Sequence, residues 1–294
     1  MSRDAVSIMR AEMRVRYGPV ADNLDGDHVA LGTHRMSPSA FLMRTPSGFG
    51  FDYRRGAGVL VDRPAGSGAI EEELWLNGSV YTAVASIAGF YPVHASAVAE
   101  AGRVFAFTGQ SGAGKSTLVT GLGNLGLPMF CDDTMLLDHL DPGTLNSGAI
   151  RALPGHKRLK LTDEALELTG AEAFEQVDLE ISKRYARPAA GTIDAVLPVA
   201  ALCVLEFGPE LKIERIGGGE RIARFNDDHY TALFYDYANR PTAAERFALQ
   251  IRLADAIPLW RFTRPRDADR FAESAAFIAD WIRHQPLAPR VPVT

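Results

Sequence analysis

The chain has 294 residues, of which 47% are hydrophobic and 23% charged, a balance typical of a globular protein with one large domain or one domain and a smaller appendage. Its formal net charge of −5 gives no general attraction to nucleic acid or to an anionic membrane, because both partners bind basic surfaces. No apolar run is long enough to cross a bilayer and the first residues lack a secretory signal, so we expect a soluble, cytoplasmic protein without nucleic-acid or membrane partners.

The N-terminal part is predicted to be a small β-rich region spanning residues 1–78. Within it, residues 28–75 contain short apolar or alternating pieces separated by Pro, Gly and Ser, which indicates a meander of short strands. A helix is expected next, because apolar side chains recur at helical spacing at Val80, Val84, Ile87 and Tyr91. Pro92 follows where this pattern stops.

The centre of the chain reads as a hairpin that leads into a glycine-rich segment. Residues 96–100 and 103–108 are apolar stretches joined by Ala101-Gly102, which favours a tight turn. An amphipathic helix is predicted after Lys115. A short strand over 128–131 then leads to a pair of aspartates. Because Cys131 and Cys203 lie in apolar runs, we expect both to be small buried hydrophobes, which fits a reducing compartment.

The C-terminal part is predicted to combine one buried strand, a second hairpin and two helices. Residues 199–207 form the strand, and residues 211–216 and 221–225 flank three glycines as the hairpin. Residues 241–254 and 267–283 read as helices. The core face of the second helix is predicted to consist of Phe271, Ala275, Ile278 and Ile282.

The segment GQSGAGKS has two glycines, Gly109 and Gly114, that are separated by four residues and followed by Lys and Ser, which is the pattern of a phosphate-binding loop. Glycines let successive backbone N–H groups turn toward phosphate oxygens, and the following helix adds the positive end of its dipole. Lys115 would contact the terminal phosphates of ATP or GTP, and the Ser116 hydroxyl would ligate Mg²⁺. The predicted nucleotide-binding residues are Gly109, Gln110, Ser111, Gly112, Ala113, Gly114, Lys115, Ser116 and Thr117.

Two adjacent carboxylates, Asp132 and Asp133, follow this loop after one helix and one strand. Neighbouring carboxylates repel each other unless a metal ion or a shared proton is present. One can hold Mg²⁺, for which we name Asp132 together with Ser116, and the other can accept the proton of an attacking hydroxyl. Which aspartate takes which role stays open, and an acidic turn that merely caps the strand is the structural alternative.

Other polar residues are weaker candidates. His94 precedes the first hairpin strand, so strand pairing could bring it beside the loop, although a single histidine more often has a structural role. Two basic clusters could bind a phosphate or an acidic acceptor, or could be ordinary solvated surface. The first consists of His156-Lys157-Arg158 with Lys160, and the second consists of Lys183-Arg184 with Arg187. Their candidate substrate residues are Lys157 and Arg158 in the first cluster and Lys183 and Arg184 in the second.

The combination of His94-Ala95-Ser96, the loop and Asp132-Asp133 at short spacing resembles the catalytic domain of the HPr kinase/phosphorylase family. The resemblance implies an α/β fold with a P-loop-containing mixed β-sheet of the type shared by HPr kinases and phosphoenolpyruvate carboxykinases. The resemblance is specific over about residues 90–140 and looser out to Phe225. We assign residues 79–285 to the nucleotide-binding catalytic domain, and the composition of residues 286–294 predicts a disordered tail. Lys115, Asp132, Asp133 and His94 become the catalytic residues, with one aspartate as base and His94 supporting it.

The resemblance also implies phosphoryl transfer to a serine of a peptide or small protein. The chain departs from the bifunctional enzymes after the paired aspartates, where PGHKRLKL replaces their glycine-rich stretch. It is more similar to shorter HPr-kinase-like proteins, some of which phosphorylate ribosomally made peptides such as lasso peptides. Family enzymes are often hexameric, so a homo-oligomer is conceivable.

Three functions therefore remain open at this point. The first is a Mg²⁺-dependent kinase acting on a peptide or protein serine, with ATP or GTP as donor. The second is a small-molecule kinase or carboxykinase-like phosphotransferase, which would share the nucleotide site and differ in the acceptor pocket. The third is a nucleotide-sensing regulator without catalysis.

Overall fold

The computed structural model describes residues 4–141, 149–177, 182–225 and 230–286. The predicted tail lies outside the described residues from position 287 onward. Within the described ranges, no helix is both long and apolar enough to cross a membrane.

The N-terminal region contains helix α1 and a six-stranded sheet, which agrees with the predicted series of short strands. Its elements are α1 (Ala5–Glu12), β1 (Val15–Tyr17), β2 (Val29–Leu31), β3 (His34–Met36), β4 (Ala40–Arg44), β5 (Gly50–Arg54) and β6 (Gly58–Asp62). The strand order is β1-β6-β5-β4-β3-β2, and neighbours are antiparallel except for the parallel pair of β1 and β6. The range predicted as strands also includes helix α2 (Ala69–Trp75), which the sequence analysis missed.

One buried cluster joins this sheet to the elements that follow it. Phe51 of β5 packs in the same core as Val84 and Leu136, which belong to later elements. Apolar surface therefore continues from the first sheet into the central part of the chain. The proposed boundary near residue 78 stays a prediction.

The predicted helix before Pro92 is shorter than expected. After α2, a π-helical turn (Leu76–Val80) leads into α3 (Tyr81–Ile87), whereas Tyr91 and Pro92 lie in strand β7 (Tyr91–Val93). Gly89 ends the helix with a φ of 87°, and the N–H of Phe90 donates to the carbonyl of Ala85 at 2.9 Å. This is the glycine C-cap motif, so the stop signal was the glycine and not the proline.

The central sheet has nine strands. These are β7, β8 (Ser96–Glu100), β9 (Arg103–Thr108), β10 (Met129–Cys131), β11 (Met135–Asp138), β12 (Arg151–Leu153), β16 (Leu197–Phe207), β17 (Lys212–Arg215) and β18 (Leu259–Arg264). The order is β10-β8-β9-β16-β12-β11-β7, and β18 pairs with both β16 and β17. The predicted hairpin of β8 and β9 is confirmed, while β16 runs parallel to β9 and to β18. The fold is thus mixed α/β.

Both faces of the central sheet are covered. Along β9, Val104 and Ala106 belong to one buried cluster, and Phe105 and Phe107 belong to another on the opposite face, as the alternation of side chains along a strand requires. The covering helices include α4 (Lys115–Asn124), α7 (Tyr230–Asn239), α8 (Ala243–Ala256) and α9 (Phe271–Arg283). The four predicted core residues of α9 are buried, and both cysteines are buried and free, as expected.

A smaller three-stranded sheet lies between β12 and β16 in the sequence. It consists of β13 (Leu159–Leu161), β14 (Ala173–Gln176) and β15 (Arg184–Ala186) in the order β13-β15-β14, with helix α5 (Asp163–Thr169) inserted after β13. Its strands are antiparallel. This sheet brings the basic segment after Pro154 toward the paired aspartates.

The second predicted hairpin is wrong. Strand β17 pairs with β18, and the segment predicted as its hairpin partner is helix α6 (Gly218–Ala223) together with the turn that follows it. The glycines at 217–219 therefore open a helix and do not close a tight turn. A long-range partner for β17 could not be recognised from local pattern, because hairpin prediction considers only neighbouring segments.

Candidate functional site

The site lies at one edge of the central sheet, where three parallel strands end. Strands β9, β16 and β18 run in the same direction and finish at Thr108, Phe207 and Arg264. The carboxyl ends of parallel strands are the usual position of ligand sites in α/β sheets. As predicted, the glycine-rich segment follows a strand and opens a helix, here β9 and α4.

The glycine-rich loop depends on positive backbone angles. Gly109, Gly112 and Gly114 have φ values of 145°, 82° and 78°. Residues that have a Cβ atom adopt such angles only with strain. At Gly114 an added Cβ would lie 2.5 Å from Arg264 Nη2. Since Arg264 also donates from Nη2 to the carbonyl of Ala113 at 2.8 Å, the end of β18 supports the loop from one side.

The ammonium group of Lys115 lies within the curve of the loop. The residue is 7% exposed, and its Nζ donates to the carbonyls of Gly109 at 2.8 Å and Gln110 at 3.2 Å. A buried cation held by backbone carbonyls and surrounded by glycines is suited to an anion with several oxygens. Ser111, Gly112, Ser116 and Thr117 line the adjoining cleft.

Asp132 connects the loop helix with the sheet. It follows β10, is 1% exposed, and its Oδ1 accepts hydrogen bonds from Ser96 Oγ at 2.5 Å and from Ser116 Oγ at 2.8 Å. Its Oδ2 accepts from the backbone N–H of Lys160 at 3.2 Å. The structure thus brings Asp132 and Ser116, the two residues named for the metal, into direct contact.

Asp133 is held in an uncommon backbone conformation. Its φ is 69°, and the N–H of Thr134 donates to the carbonyl of Asp132 at 2.8 Å, which makes residues 132–134 a γ-turn. Lys160 Nζ donates to Asp133 Oδ2 at 2.9 Å. Burial opposes ionisation of this carboxyl, but the charge and hydrogen bond of Lys160 outweigh it and hold the pKa of Asp133 well below its usual range.

His94 supports the turn that carries Asp133. Its Nδ1 lies 2.9 Å from the backbone carbonyl of Asp133 and 3.6 Å from the Asp133 carboxylate, and since a carbonyl only accepts, Nδ1 must carry a proton. Burial, reinforced by the nearby charge of Lys115, lowers the pKa of His94 despite the attraction of Asp133. The side chain of Thr108 donates to the His94 carbonyl at 2.9 Å, so the end of β9 holds the histidine in place.

These groups border a cleft with a volume of about 530 Å³. Its walls include residues that the sequence analysis did not select: Ser96, Lys160, Thr162, Glu164, Phe207, Arg264 and Arg266. Lys160 was part of a recognised basic cluster, but nothing in the sequence marked its pairing with Asp133. The sequence Arg264-Pro265-Arg266 after an apolar strand was a signal for a basic strand end that passed unnoticed.

Of the four residues suggested for substrate binding, one reaches this cleft. Lys183 is among its lining residues, whereas Arg184 forms a salt bridge with Asp163 at 3.3 Å. Lys157 Nζ donates to the carbonyls of Phe130 and, at 2.6 Å, Ile193.

Arg158, the remaining suggested residue, is paired with Glu73 at 2.5 Å and lies over the ring of Tyr185. Lys157 and Arg158 thus bind groups of the protein itself, and neither is a lining residue of the cleft. Salt bridges and carbonyl contacts satisfy basic side chains that composition alone cannot distinguish from ligand-binding ones.

The suitability of the site for Mg²⁺ can be judged from its oxygen atoms. The described part of the chain contains no group of three or more His, Cys, Asp or Glu side chains placed to hold a metal ion by themselves. Mg²⁺ bound with a nucleotide needs less, because phosphate oxygens and water complete its coordination around one or two protein ligands. The Asp132 carboxylate and the Ser116 hydroxyl, which are in contact, fit that smaller requirement.

No protein-family model matches the chain, and no curated protein matches it. Among solved structures, the HPr(Ser) kinase/phosphatase from Coxiella burnetii matches with 13% sequence identity and a TM-score of 0.32, over 65% of this chain and 93% of that chain. At this identity and TM-score the match identifies neither a family nor a function for the chain.

Proposed function

We propose that the protein is a Mg²⁺-dependent kinase that transfers the terminal phosphoryl group of ATP or GTP to a serine hydroxyl of a peptide or small protein. One observation carries this proposal: the Asp132 carboxylate accepts a hydrogen bond from Ser116 at the start of α4, and Asp133 borders the same cleft as Lys115. A phosphate-binding loop, a metal ligand and a carboxylate for the acceptor would then share one site.

Binding of the triphosphate is assigned to the loop and Lys115. Three glycines of the loop have positive φ angles, a curvature that would let successive backbone N–H groups turn toward phosphate oxygens. The N-terminus of α4 and the Lys115 ammonium add positive charge at the same position. Ser116 and Asp132 would hold Mg²⁺, which when bound neutralises charge on the phosphate oxygens.

Asp133 is assigned to the acceptor hydroxyl. Its depressed pKa keeps the carboxyl ionised at neutral pH, so it can accept a hydrogen bond from a hydroxyl and orient its oxygen. A weakly basic carboxylate is sufficient, because phosphoryl transfer proceeds through a loose transition state in which the proton leaves late. Lys160 and His94 are positioning residues, since they hold the Asp133 carboxylate and the Asp133 backbone respectively.

The acceptor class is inferred from the motif resemblance and not from a bound substrate. Some of the shorter proteins with similar motifs phosphorylate ribosomally made peptides, so a peptide of the lasso type is our specific proposal. Lys183 lines the cleft and is exposed, so its ammonium group is available to an acidic or phosphorylated acceptor. A cytoplasmic location would supply the required ATP.

Incubation with γ-labelled ATP, Mg²⁺ and candidate serine peptides tests the proposal. We expect label on a peptide serine, and Asp133→Asn should lower turnover by about 10²–10⁴-fold while nucleotide affinity is retained. The matched control is Asp25→Asn, which removes an exposed carboxylate far along the chain from the site. Transfer of label to water alone, with no labelled acceptor, would contradict kinase activity.

A further inference from the structure

An exposed aromatic ring lies in the cleft beside the glycine-rich loop, in a position that phosphate binding does not explain. Phe207 ends β16 and is 44% exposed, although residues 201–205 of the same strand are buried. The guanidinium carbons of Arg264 and Arg266 lie 4.9 and 5.5 Å from the centre of its ring. All three residues line the cleft that Lys115 and Ser116 border.

The two arginines differ in what they contact. Arg264 is 6% exposed and donates to the Ala113 carbonyl, so one guanidinium group links the Phe207 ring to the phosphate loop. Arg266 is exposed. Within the described residues it forms no salt bridge, and its guanidinium group lies over the Phe207 ring. A cation without a carboxylate partner and a half-exposed ring at a cleft edge form a surface made of π faces and guanidinium planes.

We propose that Phe207 and Arg266 form the platform on which the nucleobase of the bound triphosphate stacks. This inference rests on the proposed nucleotide-binding function and extends it to the base. Aromatic rings and guanidinium planes are the side-chain groups that receive unpaired bases. The strand position agrees: β16 is adjacent to β9, which carries the loop, so a nucleotide with its phosphates in the loop can extend across the ends of β16 and β18.

The platform also predicts how the protein discriminates between ATP and GTP. Stacking uses the π face, which every base has, and does not read the hydrogen-bonding edge. We therefore expect Mg-ATP and Mg-GTP to bind with similar affinity, and both affinities to depend on Phe207. An enzyme that reads the base edge would instead separate the two nucleotides strongly.

The test compares a nucleotide with a triphosphate that has no base. Equilibrium titration of the full chain should give a Kd for the Mg²⁺ complex of a non-hydrolysable ATP analogue that rises about 5- to 100-fold in Phe207→Ala. The Kd of Mg-tripolyphosphate should not change, and Phe207→Trp should retain nucleotide affinity. Phe247→Ala is the matched control, because Phe247 is an exposed aromatic residue of α8 that lines a different groove.

Each other outcome overturns the inference and shows what has failed. If Phe207→Ala weakens both probes equally, the ring only shields Arg264 and thereby supports the loop. If nucleotide affinity is unchanged while the KM for the acceptor peptide rises, the ring belongs to the acceptor site. In both cases the proposed kinase function stands, whereas a wild-type protein that binds neither probe would refute the proposed function together with the platform.

Discussion

Asp133 shows how one residue combines backbone strain with a tuned charge. A φ of 69° is uncommon for a residue with a side chain, although aspartate tolerates it better than most. Such conformations persist where surrounding contacts impose them and are concentrated at functional sites. Two contacts hold Asp133 in this conformation: the Lys160 ammonium donates to its carboxylate, and the His94 ring donates to its backbone carbonyl.

Replacing Lys160 by methionine should therefore change how Asp133 titrates. A depressed folded-state pKa stabilises the protein above the unfolded pKa, and this stabilisation is lost as the pH falls through the folded value. In Lys160→Met the pKa of Asp133 should rise, so both the loss of stability and the acidic limb of the kcat profile should move to higher pH. At neutral pH we expect unfolding to require about 1–3 kcal/mol less.

The control for this prediction is Lys212→Met, which removes an exposed lysine paired with Glu214 on β17. Exposed pairs contribute little, so this variant should leave stability and the kcat profile nearly unchanged. An acidic limb that stays in place in Lys160→Met would show that Lys160 does not set the charge of Asp133.

The glycine-rich loop and its supporting strand act as one element. Gly112 and Gly114 both have positive φ values, but a Cβ at Gly112 would meet nothing within 4 Å, whereas one at Gly114 would collide with the guanidinium of Arg264. Alanine substitution at Gly112 therefore measures the free-energy cost of the positive φ alone. The same substitution at Gly114 adds the cost of displacing Arg264.

Gly112→Ala should lower the free energy of unfolding by about 1–2 kcal/mol through backbone strain alone. Gly114→Ala should cost more and should also weaken nucleotide binding, because the displaced Arg264 no longer holds the Ala113 carbonyl. Denaturant unfolding and nucleotide titration of both variants check this. Equal effects in the two variants would mean that the contact between β18 and the loop is unimportant.

At the scale of the whole molecule, the central sheet should be the last part to open. Strand β16 pairs with β9 along one edge and with β12 and β18 along the other, and its side chains belong to the clusters on both faces. Opening it therefore exposes apolar surface on two sides.

Hydrogen exchange followed by mass spectrometry should show the slowest amides in β9 and β16. The strand β2, at the edge of the N-terminal sheet, provides the internal comparison and should exchange faster. Equal protection of β2 and β16 would contradict this order. Addition of Mg-ATP should further protect the amides of residues 109–117 if they bind phosphate.

Local sequence patterns predicted an element correctly where the residues that determine it lie within one short segment. The hairpin of β8 and β9, helix α4 and the residues of the loop could be predicted because turn glycines, helical periodicity and motif spacing lie within a few positions. The helix before β7 also ends for a local reason, because Gly89 with its positive φ stops it three residues before Pro92.

Contacts between distant segments could not be predicted in this way. The pairing of β17 with β18, of Lys160 with Asp133, and of Arg264 with the Ala113 carbonyl each joins positions far apart in sequence. In the sequence, a basic residue has the same charge whether its side chain contacts a carbonyl, a carboxylate or a ligand. The glycine-rich loop is thus encoded in contiguous residues, whereas the composition of the cleft around it depends on which strand ends the sheet brings together.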